Sequence, residues 1–330
     1  MNWKKKKILV TGADGFIGSH LVERLIKSGA HLRAFTYYNS FNTWGWLDSL
    51  SKDQLKKIEV FSGDVRDPNG VLEAMKGVDI VFNLAALIGI PFSFHSPDSY
   101  VDTNIKGILN VLQAARKTGV ERIIHTSTSE VFGTAQYVPM DENHPLNPQS
   151  PYAATKAAAD HLALSFYHSF KLPVTILRPF NTFGSRQSAR AVIPTIITQI
   201  YSGKRSIQLG NLKTTRDFNY VSNVVDGYMK LAQTQNVDGK VFNIGTNSEI
   251  SILELVRLIS AIMGKKITIT TQKERLRPHT SEVERLWCNA SCFSQLCGWA
   301  PKVSLEEGLK KTCQWIKANL SKYKAEIYNV

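Results

Sequence analysis

A tyrosine and a lysine that stand four residues apart could carry proton transfer in this chain. They are Tyr152 and Lys156 of the segment YAATK, and this spacing places two side chains on one face of a helix. A lysine ammonium beside a phenol favours the phenolate, so we expect Lys156 to lower the pKa of Tyr152 from its ordinary value of about 10. Tyr152 would then remove a proton from an alcohol while hydride leaves the same carbon for a nicotinamide.

A polar segment that precedes this pair offers further groups for the same chemistry. The run STSE covers residues 127–130 at the end of a predicted strand, which is where doubly wound folds bind ligands. Thr128 could hydrogen-bond the same hydroxyl as Tyr152, and Glu130 would bring a carboxylate beside it. The alternative interpretation is that residues 127–130 are only the end of a strand, rich in serine and threonine, and that the Glu130 side chain is solvated.

A glycine-rich loop near the start of the sequence predicts a dinucleotide site. Gly12, Gly15 and Gly18 form the pattern GxxGxxG directly after a predicted strand and directly before a predicted helix. Gly12 permits the tight turn, Gly15 lets the backbone approach a pyrophosphate, and Gly18 lets the helix pack on the strand. The helix that begins at Phe16 and Ile17 would direct its N–H groups and its positive dipole end at the phosphates.

Two positions bear on the adenosine half of such a cofactor. Thr36 ends the predicted second strand, where NAD enzymes usually place an acid for the ribose 2′-hydroxyl. Neither an acid nor an immediately following arginine occurs there, so the choice between NAD and NADP stays open, with NAD slightly preferred. Asp64 suits a contact to the adenine edge, and an ordinary helix cap is an equally good interpretation of it.

An alternation of strands and helices positions these segments. The predicted strands cover Ile8–Val10, His31–Thr36, Ile58–Ser62, Ile80–Leu84 and Arg122–Ser127. The predicted helices cover Phe16–Ser28, with a buried face marked by Ile17, Leu21 and Leu25, and Thr103–Thr118. This alternation predicts an α/β fold with a doubly wound, parallel Rossmann sheet.

After Pro179 the alternation becomes irregular, which predicts a smaller, discontinuous α/β lobe that binds the substrate. We assign residues 1–178 plus about 216–242 to the dinucleotide-binding Rossmann domain, with 216–240 interpreted as a helix that serves it. Residues from about 179–215 plus 243–330 form the predicted substrate-binding domain. The 330 residues of the chain are enough for two such lobes.

Composition narrows the class of protein. The formal net charge is +13, but the basic residues are scattered apart from Lys4–Lys7, and no nucleic-acid-binding motif accompanies them. No apolar run approaches the roughly 20 residues that span a bilayer. Cys288, Cys292, Cys297 and Cys313 lack the spacing of a metal site and suit free thiols in a reducing compartment. We therefore expect a cytoplasmic protein without a nucleic-acid, membrane or metal partner.

Five motifs together resemble the extended short-chain dehydrogenase/reductase family. They are GADGFIG (12–18), NLAA (83–86), STSEVFG (127–133), YAATK (152–156) and RPFNTFG (178–184), and the resemblance continues to GWAPKVSLEEGLKKT (298–312). Within the family, residues 39–50 and 142–156 are most similar to the bacterial 4,6-dehydratases that make a 4-keto-6-deoxy N-acetylhexosamine for legionaminic-acid-type sugars. The resemblance implies an NAD or NADP cofactor with these contacts: Gly12, Gly15, Phe16, Ile17, Gly18, Thr36, Asp64, Val65, Leu84, Ala85, Ala86, Tyr152 and Lys156.

For the reaction, the resemblance implies oxidation of a nucleotide-activated sugar at C4, loss of water across C5 and C6, and return of hydride to C6. Thr128, Tyr152 and Lys156 match the residues that oxidise C4, and Glu130 matches the base that takes the C5 proton. Ser129 departs from the pattern, because many 4,6-dehydratases have an aspartate there that protonates the leaving hydroxyl. The same serine–glutamate pair occurs in UDP-glucuronate decarboxylases, so that activity remains an alternative, as does 4-epimerase.

The resemblance also implies a substrate and its contacts. UDP- or GDP-N-acetylglucosamine is the expected substrate, and its sugar, ribose or diphosphate would meet Ser93, Thr128, Asn181, Arg216 and Arg277. A guanidinium fork suits phosphate geometry, although either arginine could instead form a surface or interdomain salt bridge. For Arg190 we favour that salt-bridge interpretation.

The family usually forms homodimers through two long helices per subunit. Here they would include the segments around Thr103–Thr118 and Tyr152–Phe170.

A more distant alternative is a non-catalytic protein that uses NAD(P)H occupancy as a signal. The presence of the complete set of Thr128, Tyr152 and Lys156 argues against this alternative.

Overall fold

A parallel β-sheet forms the centre of the protein in the computed structural model, which describes residues 1–324 and 327. The strands of these residues, in chain order, are β1 Lys7–Thr11, β2 His31–Tyr37, β3 Ile58–Gly63, β4 Ile80–Asn83, β5 Arg122–Thr126, β6 Val174–Pro179, β7 Asn181–Phe183, β8 Ser206–Leu209, β9 Thr215–Arg216, β10 Phe218–Tyr220, β11 Val241–Ile244, β12 Ile250–Ser251, β13 Thr268–Thr271 and β14 Arg285–Leu286. The helices are α1 Phe16–Ser28, α2 Lys52–Leu55, α3 Pro68–Met75, α4 Ile90–His95, α5 Pro97–Tyr100, α6 Gly107–Thr118, α7 Pro151–Phe170, α8 Val192–Tyr201, α9 Val221–Gln233, α10 Ile252–Met263, α11 Ser291–Cys297 and α12 Leu305–Ala318.

Seven of these strands build the central sheet, in the order β11-β6-β5-β4-β1-β2-β3. Neighbouring strands run parallel throughout. The chain changes direction across the sheet between β1 and β4, where Thr11 stands opposite Asn83. The loops that follow two strands at such a switch point diverge and leave a crevice for ligands. The predicted α/β fold with a doubly wound, parallel Rossmann sheet is confirmed.

Both faces of this sheet are covered by apolar side chains. Because side chains alternate along a strand, Ile8 and Val10 of β1 pack on one face with Leu21 of α1, whereas Leu9 packs on the other. The helix α1 has the predicted bounds and ends at Gly29, whose φ is 78°. Among residues 1–324 and 327, no helix combines the length and the apolarity that crossing a membrane requires.

The helix that we expected to begin at Thr103 begins differently. Residues Val101–Lys106 wind as a π-helix, and α-helical geometry starts only at Gly107. In the widened turn, the Asn104 side chain accepts a hydrogen bond from the backbone N–H of Leu87 at 2.9 Å and donates to its carbonyl at 3.0 Å. The structure thus ties this helix to the loop that follows β4, a contact that local sequence periodicity does not reveal.

The prediction of one helix over 216–240 is wrong. The segment contains the end of β9 and all of β10 before α9, and α9 ends at Gln233. Between the two strands, the buried Asp217 accepts hydrogen bonds from the backbone N–H and the hydroxyl of Thr246. This long-range contact and the pairing of β10 with β7 hold the segment extended. As expected, the helix α9 itself packs beside the central sheet, against α1 and β5.

Smaller sheets lie beside the central one and form the other side of the candidate site. Strand β7 pairs with β10, β8 pairs with β13, and β9 lies between β12 and β14. The helices α8, α10 and α12 pack against one another here. Strand β11 belongs to the central sheet and crosses the boundary that we placed near residue 242. The division into two domains otherwise stays a prediction.

Candidate active site

The glycine loop between β1 and α1 leaves no room for side chains. Gly12 has a φ of 65°, and a Cβ there would lie 2.9 Å from the backbone nitrogen of Ala85. A Cβ at Gly18 would lie 2.0 Å from the carbonyl oxygen of Gly12, and one at Gly15 would lie 3.2 Å from it. The helix α1 begins at Phe16 with neither a side-chain cap nor an acidic residue in its first turn. Its first N–H groups can therefore meet an anion, which fits the pyrophosphate of a dinucleotide.

The loop that follows β4 is held against the glycine loop. The backbone N–H groups of Leu84 and Ala85 each donate to Thr11 Oγ1 at 3.1 Å, and Thr11 Oγ1 lies 2.7 Å from Asn83 Oδ1. Ala86 continues this loop and is half-buried. The predicted contacts from the glycine loop and from residues 84–86 therefore line the same crevice at the switch point of the sheet.

The end of β2 differs in detail from the sequence expectation. Thr36 is fully buried and its hydroxyl lies 3.2 Å from the Ser62 hydroxyl, so the first exposed side chain at this strand end is Tyr37. The backbone N–H of Tyr37 donates to Asp14 Oδ2 at 3.2 Å. Burial raises the pKa of Asp14, and this hydrogen bond opposes the effect. A carboxylate therefore does stand at the end of β2, supplied from within the glycine loop rather than from the strand.

Asp64 does not cap a helix, because Asp67 caps α3 by accepting from the N–H groups of its first turn. The Asp64 carboxylate instead accepts from the Arg66 guanidinium, at 2.9 Å from Nε, and this bond lowers the pKa of Asp64. The next residue, Val65, is buried, and its carbonyl accepts from Asn110 Nδ2 at 3.0 Å. A contact from Asp64 or Val65 to an adenine stays a prediction.

Tyr152 and Lys156 lie on the first turns of α7, the longest helix in the part of the chain that the structure describes. The Ser150 side chain begins this helix by accepting a hydrogen bond from the Ala153 N–H at 3.1 Å. Both Tyr152 and Lys156 are buried, at 7% and 4% exposure. The lysine Nζ donates to the carbonyl of Thr126, at the end of β5, at 2.6 Å.

The expectation that Lys156 lowers the pKa of Tyr152 is wrong for the protein's own groups. Burial raises the pKa of Tyr152 well above its ordinary value, although a hydrogen bond with Thr128 opposes the effect. Burial also lowers the pKa of Lys156 to about 8, while the nearby Asp160 carboxylate raises it. Loss of hydration therefore dominates at the phenol, and the lysine ammonium is bonded to a backbone carbonyl instead.

Thr128, Ser129 and Glu130 follow β5, and the last two begin a short 3₁₀ turn. Thr128 Oγ1 accepts from the N–H of Glu130 at 3.2 Å, which fixes the start of the turn. The Glu130 residue is only 8% exposed, and its Oε2 lies 3.9 Å from Nη1 of Arg277. Glu130 is therefore not the solvated side chain of our alternative interpretation, and it faces a charged partner from a distant part of the chain.

A cleft of about 520 Å³ is lined by Arg277 but not by Thr128, Ser129 or Glu130 themselves, and it has the size of a small-molecule site. Its lining includes three of the predicted substrate contacts, Asn181, Arg216 and Arg277. The Asn181 Oδ1 atom is buried and has no hydrogen-bond partner among the described residues. An unpaired buried amide oxygen would accept readily from a hydroxyl or N–H group of a ligand.

Two arginines and two glutamates meet at one side of this cleft. Arg277 Nη1 lies 3.9 Å from Glu130 Oε2 and 3.8 Å from Glu282 Oε1. Arg216 lies 3.8 Å from the same Glu282 oxygen and donates to the Val283 carbonyl at 2.7 Å. Burial lowers the pKa of Arg216, and the Glu130 carboxylate opposes this effect. Arg277 thus connects the cleft to Glu130, so a candidate base and a candidate phosphate site adjoin.

Two residues near the cleft stand differently from the sequence expectation. Ser93, a predicted substrate contact, is fully buried and donates its hydroxyl to the Ile90 carbonyl at 2.7 Å, while Phe94 of the same helix lines the cleft. Arg190, for which we favoured a surface or interdomain salt bridge, is exposed and bonds Ser188 Oγ at 3.2 Å, and it also lines the cleft. The Arg190 side chain lies so close to Gly89, in the loop after β4, that a Cβ built at Gly89 would be 2.7 Å from Arg190 Nη1. The sequence signal for Arg190 was its position shortly after the RPFNTFG motif.

The sequence reasoning also missed Asp160 and Arg178, which lie behind the catalytic pair. They form a buried ion pair in which Arg178 Nη2 is 3.0 Å from Asp160 Oδ2. A signal existed for each of them. Asp160 follows Lys156 by one helical turn, and Arg178 is the first residue of RPFNTFG.

Comparison with known proteins adds a family to this geometry. The sequence model of one family, described as GDP-mannose 4,6 dehydratase, matches residues 9–312. The dTDP-D-glucose 4,6-dehydratase of Mus musculus is 31% identical, over 97% of this chain and 91% of that protein. The UDP-N-acetyl-alpha-D-glucosaminuronate decarboxylase of Bacillus cytotoxicus is 32% identical, over 95% of this chain and 98% of that protein.

A solved structure shows the same overall fold. The UDP-glucuronic acid 4-epimerase from Bacillus cereus, in complex with UDP-glucuronic acid and NAD, superposes with a TM-score of 0.85. It is 30% identical, and the match covers 95% of this chain and 99% of that one. These similar proteins carry the names of three activities, so similarity alone does not choose among them.

Proposed function

Because the chain belongs to the GDP-mannose 4,6 dehydratase family, we propose that it is a nucleotide-sugar 4,6-dehydratase that works with a nicotinamide cofactor. One observation carries the choice of dehydratase, namely the placement of Glu130. It is buried, follows Thr128 by two residues, and stands 3.9 Å from an arginine of the cleft. Elimination of water needs a strong base beside the oxidised carbon, and a carboxylate in this position supplies one.

The glycine loop and the loop after β4 fit the cofactor, because their backbones approach closely and the first N–H groups of α1 can meet a pyrophosphate. Once bound, the nicotinamide supplies the hydride acceptor for C4 and the hydride that returns to C6. We propose NAD rather than NADP. The Asp14 carboxylate at the end of β2 would repel a 2′-phosphate, and the B. cereus epimerase was solved with NAD.

Side chains of this protein carry the proton transfers. Tyr152 takes the proton of the sugar 4-hydroxyl after its own proton has passed to solvent, and Thr128 holds that hydroxyl by a hydrogen bond. The resulting ketone acidifies the C5 proton, which Glu130 removes. The C6 hydroxyl must then leave with a proton. The hydroxyl of Ser129 is too weak an acid to supply it, so Glu130 passes on the proton that it has just taken, and the two groups leave together as water.

The product forms when hydride reaches C6 and C5 regains a proton. Glu130 is again the group beside C5, and the proton that it returns comes from water. Every C5 atom of the product therefore carries solvent hydrogen. This isotopic signature separates the elimination from a 4-epimerisation, in which hydride leaves C4 and returns to C4 without exchange at C5.

For the substrate, we propose UDP- or GDP-N-acetylglucosamine, in keeping with the resemblance to enzymes of legionaminic-acid-type sugars. Arg216 and Arg277 line the cleft and offer guanidinium groups to a diphosphate. The unpaired Asn181 Oδ1 offers an acceptor beside them. Assembly as a homodimer through α6 and α7, and a place in the cytoplasm, remain predictions.

The test is incubation with UDP- and GDP-N-acetylglucosamine, dTDP-glucose, GDP-mannose and UDP-glucuronic acid in D₂O, followed by NMR and mass spectrometry. We expect one of the first two to lose water and to gain deuterium at C5. Unchanged sugar with all five nucleotide sugars would refute the proposal. A changed configuration at C4 without loss of mass would establish an epimerase instead.

The variant Glu130→Gln separates the steps. We expect it to oxidise C4, seen as reduced cofactor after substrate is added, and to make no dehydrated product. The matched control is Glu282→Gln, which removes another carboxylate 3.8 Å from Arg277 and should keep elimination. Equal loss of elimination in both variants would assign the effect to the charge around Arg277 rather than to a base at Glu130.

Decarboxylase is the second candidate, favoured by one observation. Position 129 carries a buried serine, and loss of CO₂ from C5 needs no acid for a leaving hydroxyl. In that reaction the C4 ketone accepts the electron pair of the broken C5–C6 bond, a proton then reaches C5, and the hydride held by the cofactor would return to C4. Release of CO₂ from UDP-glucuronic acid in the same five-substrate experiment would support it.

A further inference from the structure

Behind Tyr152 and Lys156 lies a set of buried polar side chains that the proposed chemistry does not use. Asp160, Arg178 and His125 are exposed by only 1%, 4% and 2%. Taking charged groups out of water costs several kcal/mol for each ion unless a partner compensates, so their arrangement calls for a physical reason.

One oxygen of Asp160 is held on several sides. Its Oδ2 accepts from the Ser127 hydroxyl at 2.7 Å and from Arg178, at 3.1 Å from Nε and 3.0 Å from Nη2. Such charge-assisted bonds fix both the place and the orientation of a carboxylate. Asp160 follows Lys156 by one turn of α7, so its negative charge is held on the side of the helix that carries the lysine.

The other oxygen of Asp160 faces a chain of hydrogen bonds that ends at His125 and whose direction can be assigned. Thr11 Oγ1 accepts from two backbone N–H groups of the loop after β4, so its own hydrogen goes to Asn83 Oδ1 at 2.7 Å. The amide nitrogen of Asn83 is then the donor to His125 Nδ1, at 3.0 Å. A neutral His125 therefore carries its hydrogen on Nε2, and this atom faces Asp160 Oδ1 at 3.8 Å.

His125 contributes no charge to this group. Burial lowers the pKa of His125 well below its ordinary value of 6.5, and the positive charge of Lys156 adds to the effect. Neither His125 Nε2 nor Asp160 Oδ1 has a hydrogen-bond partner in the part of the chain that the structure describes. Burial lowers the pKa of Lys156, and the Asp160 carboxylate, one turn further along α7, raises it.

We propose that Asp160 is a positioning residue that keeps the Lys156 side chain charged and anchored on the Thr126 carbonyl, where it supports proton removal by Tyr152. The hydrogen-bond chain from Thr11 ends at His125, whose Nε2 faces Asp160 Oδ1 at 3.8 Å. The inference rests on the proposed function only in assigning proton transfer to Tyr152 and Lys156.

The expected pH dependence has a definite sign. The titratable and charged groups that face Lys156 or Asp160 are His125 on β5, Tyr152 on α7 and Arg178 on β6, while Glu130 and Tyr228 on α9 face Tyr152. Asp160 raises the pKa of Lys156, which is about 8. Removal of its charge would let Lys156 lose its proton at a lower pH, so activity would fall first on the alkaline side.

A direct test measures the titration of Lys156 without any substrate. Protein labelled with ¹⁵N at the lysine side chains is titrated by NMR, and the Lys156 signal is assigned by its absence in Lys156→Arg. We expect Asp160→Asn to lower the pKa of Lys156 by about one unit or more. An unchanged pKa would overturn the proposal even if the enzyme turns over sugar. A shifted pKa without turnover of any sugar would leave this proposal standing and contradict the proposed function.

Kinetic measurements with whichever nucleotide sugar the enzyme converts then distinguish a positioning role of Asp160 from a general loss of structure in its variants. We expect the alkaline limb of the pH profile for cofactor reduction to move to lower pH in Asp160→Asn and to return in Asp160→Glu. The control Ser127→Ala removes a hydrogen bond to the same carboxylate oxygen but keeps the charge, so its limb should stay in place. An equal loss at every pH would overturn the proposal. If Asp160→Asn does not fold, Asp160→Ser at low temperature carries both tests, since it also removes the charge.

Discussion

The two sides of the candidate site hold their charges in different ways. On the side of β5, β6 and α7, Asp160 and Arg178 are almost fully buried and meet at ordinary hydrogen-bond distances. On the side of the cleft, Arg277 stands 3.8 and 3.9 Å from two carboxylates and makes no hydrogen bond with its Nη1 among the described residues. Its side chain is 25% exposed.

This difference has a physical meaning for catalysis. A buried ion pair that meets at hydrogen-bond distance cannot move without leaving a bare charge in a medium of low polarity, so it fixes geometry. Loosely paired charges beside water can exchange partners at little cost. The side formed by β5, β6 and α7, which we call the sheet side, is therefore suited to holding the groups that react. The side of the cleft, which we call the cleft side, is suited to accepting a charged ligand. The predictions that follow test this contrast, from the largest expected effect to the smallest.

The largest effect should come from the phenol on the sheet side. Tyr152→Phe removes the group that takes the sugar proton, and we expect cofactor reduction to slow by about 1,000-fold, or roughly 4 kcal/mol. The control is Tyr228→Phe, which removes another buried hydroxyl, bonded to Thr126 Oγ1 at 2.7 Å. Stopped-flow absorbance of the reduced cofactor measures both variants. Similar losses in the two would show that buried hydroxyls matter there only for structure.

Stability should respond to arginines on the two sides by different amounts. Arg178→Met leaves Asp160 buried without its partner, and we expect a loss of about 3 kcal/mol in the free energy of unfolding. Arg277→Met breaks only the loose pairs of the cleft and should cost less than about 1 kcal/mol. Urea denaturation followed by circular dichroism gives both values. Equal costs would remove the distinction between the two sides.

Substrate affinity, unlike stability, should depend more on the arginine of the cleft side than on the arginine of the sheet side. Arg277→Lys keeps the charge of the cleft but loses the guanidinium fork, so we expect KM for the nucleotide sugar to rise by about 10-fold, or roughly 1.4 kcal/mol, with kcat little changed. Steady-state kinetics at fixed ionic strength provide the measurement. A fall in kcat with an unchanged KM would place Arg277 among the groups that act in the transition state.

The smallest effect concerns the pH dependence of stability. The pKa of His125 in the folded protein lies well below 6.5, so the unfolded chain binds this proton first as the pH falls. The contribution of a neutral His125 is therefore present above about pH 6.5 and is lost below it. We expect the melting temperature to fall less between about pH 7 and pH 5 in His125→Gln than in the unchanged protein. His279→Gln, on the exposed cleft side, should leave the slope as it is.

Local patterns in the sequence determined much of the architecture. The bounds of α1 follow from the spacing of Leu21 and Leu25 and from Gly29, because each acts within a few residues along the chain. The alternation of strands and helices predicted the parallel sheet, and the glycine pattern placed a tight turn before α1. The four-residue spacing of Tyr152 and Lys156 put both on α7. These features depend on backbone geometry that a short segment carries by itself.

The tertiary structure alone decided the environments of the reacting groups. The pKa of Tyr152 is raised rather than lowered, because burial by distant segments outweighs the neighbouring lysine. Glu130 meets Arg277, and Arg190 enters the cleft, through folding that brings remote parts of the chain together. Desolvation and long-range ion pairs depend on the whole fold, and no local spacing encodes them. The sequence therefore determined which chemical groups are present, and the packing of the complete chain determined their protonation and their partners.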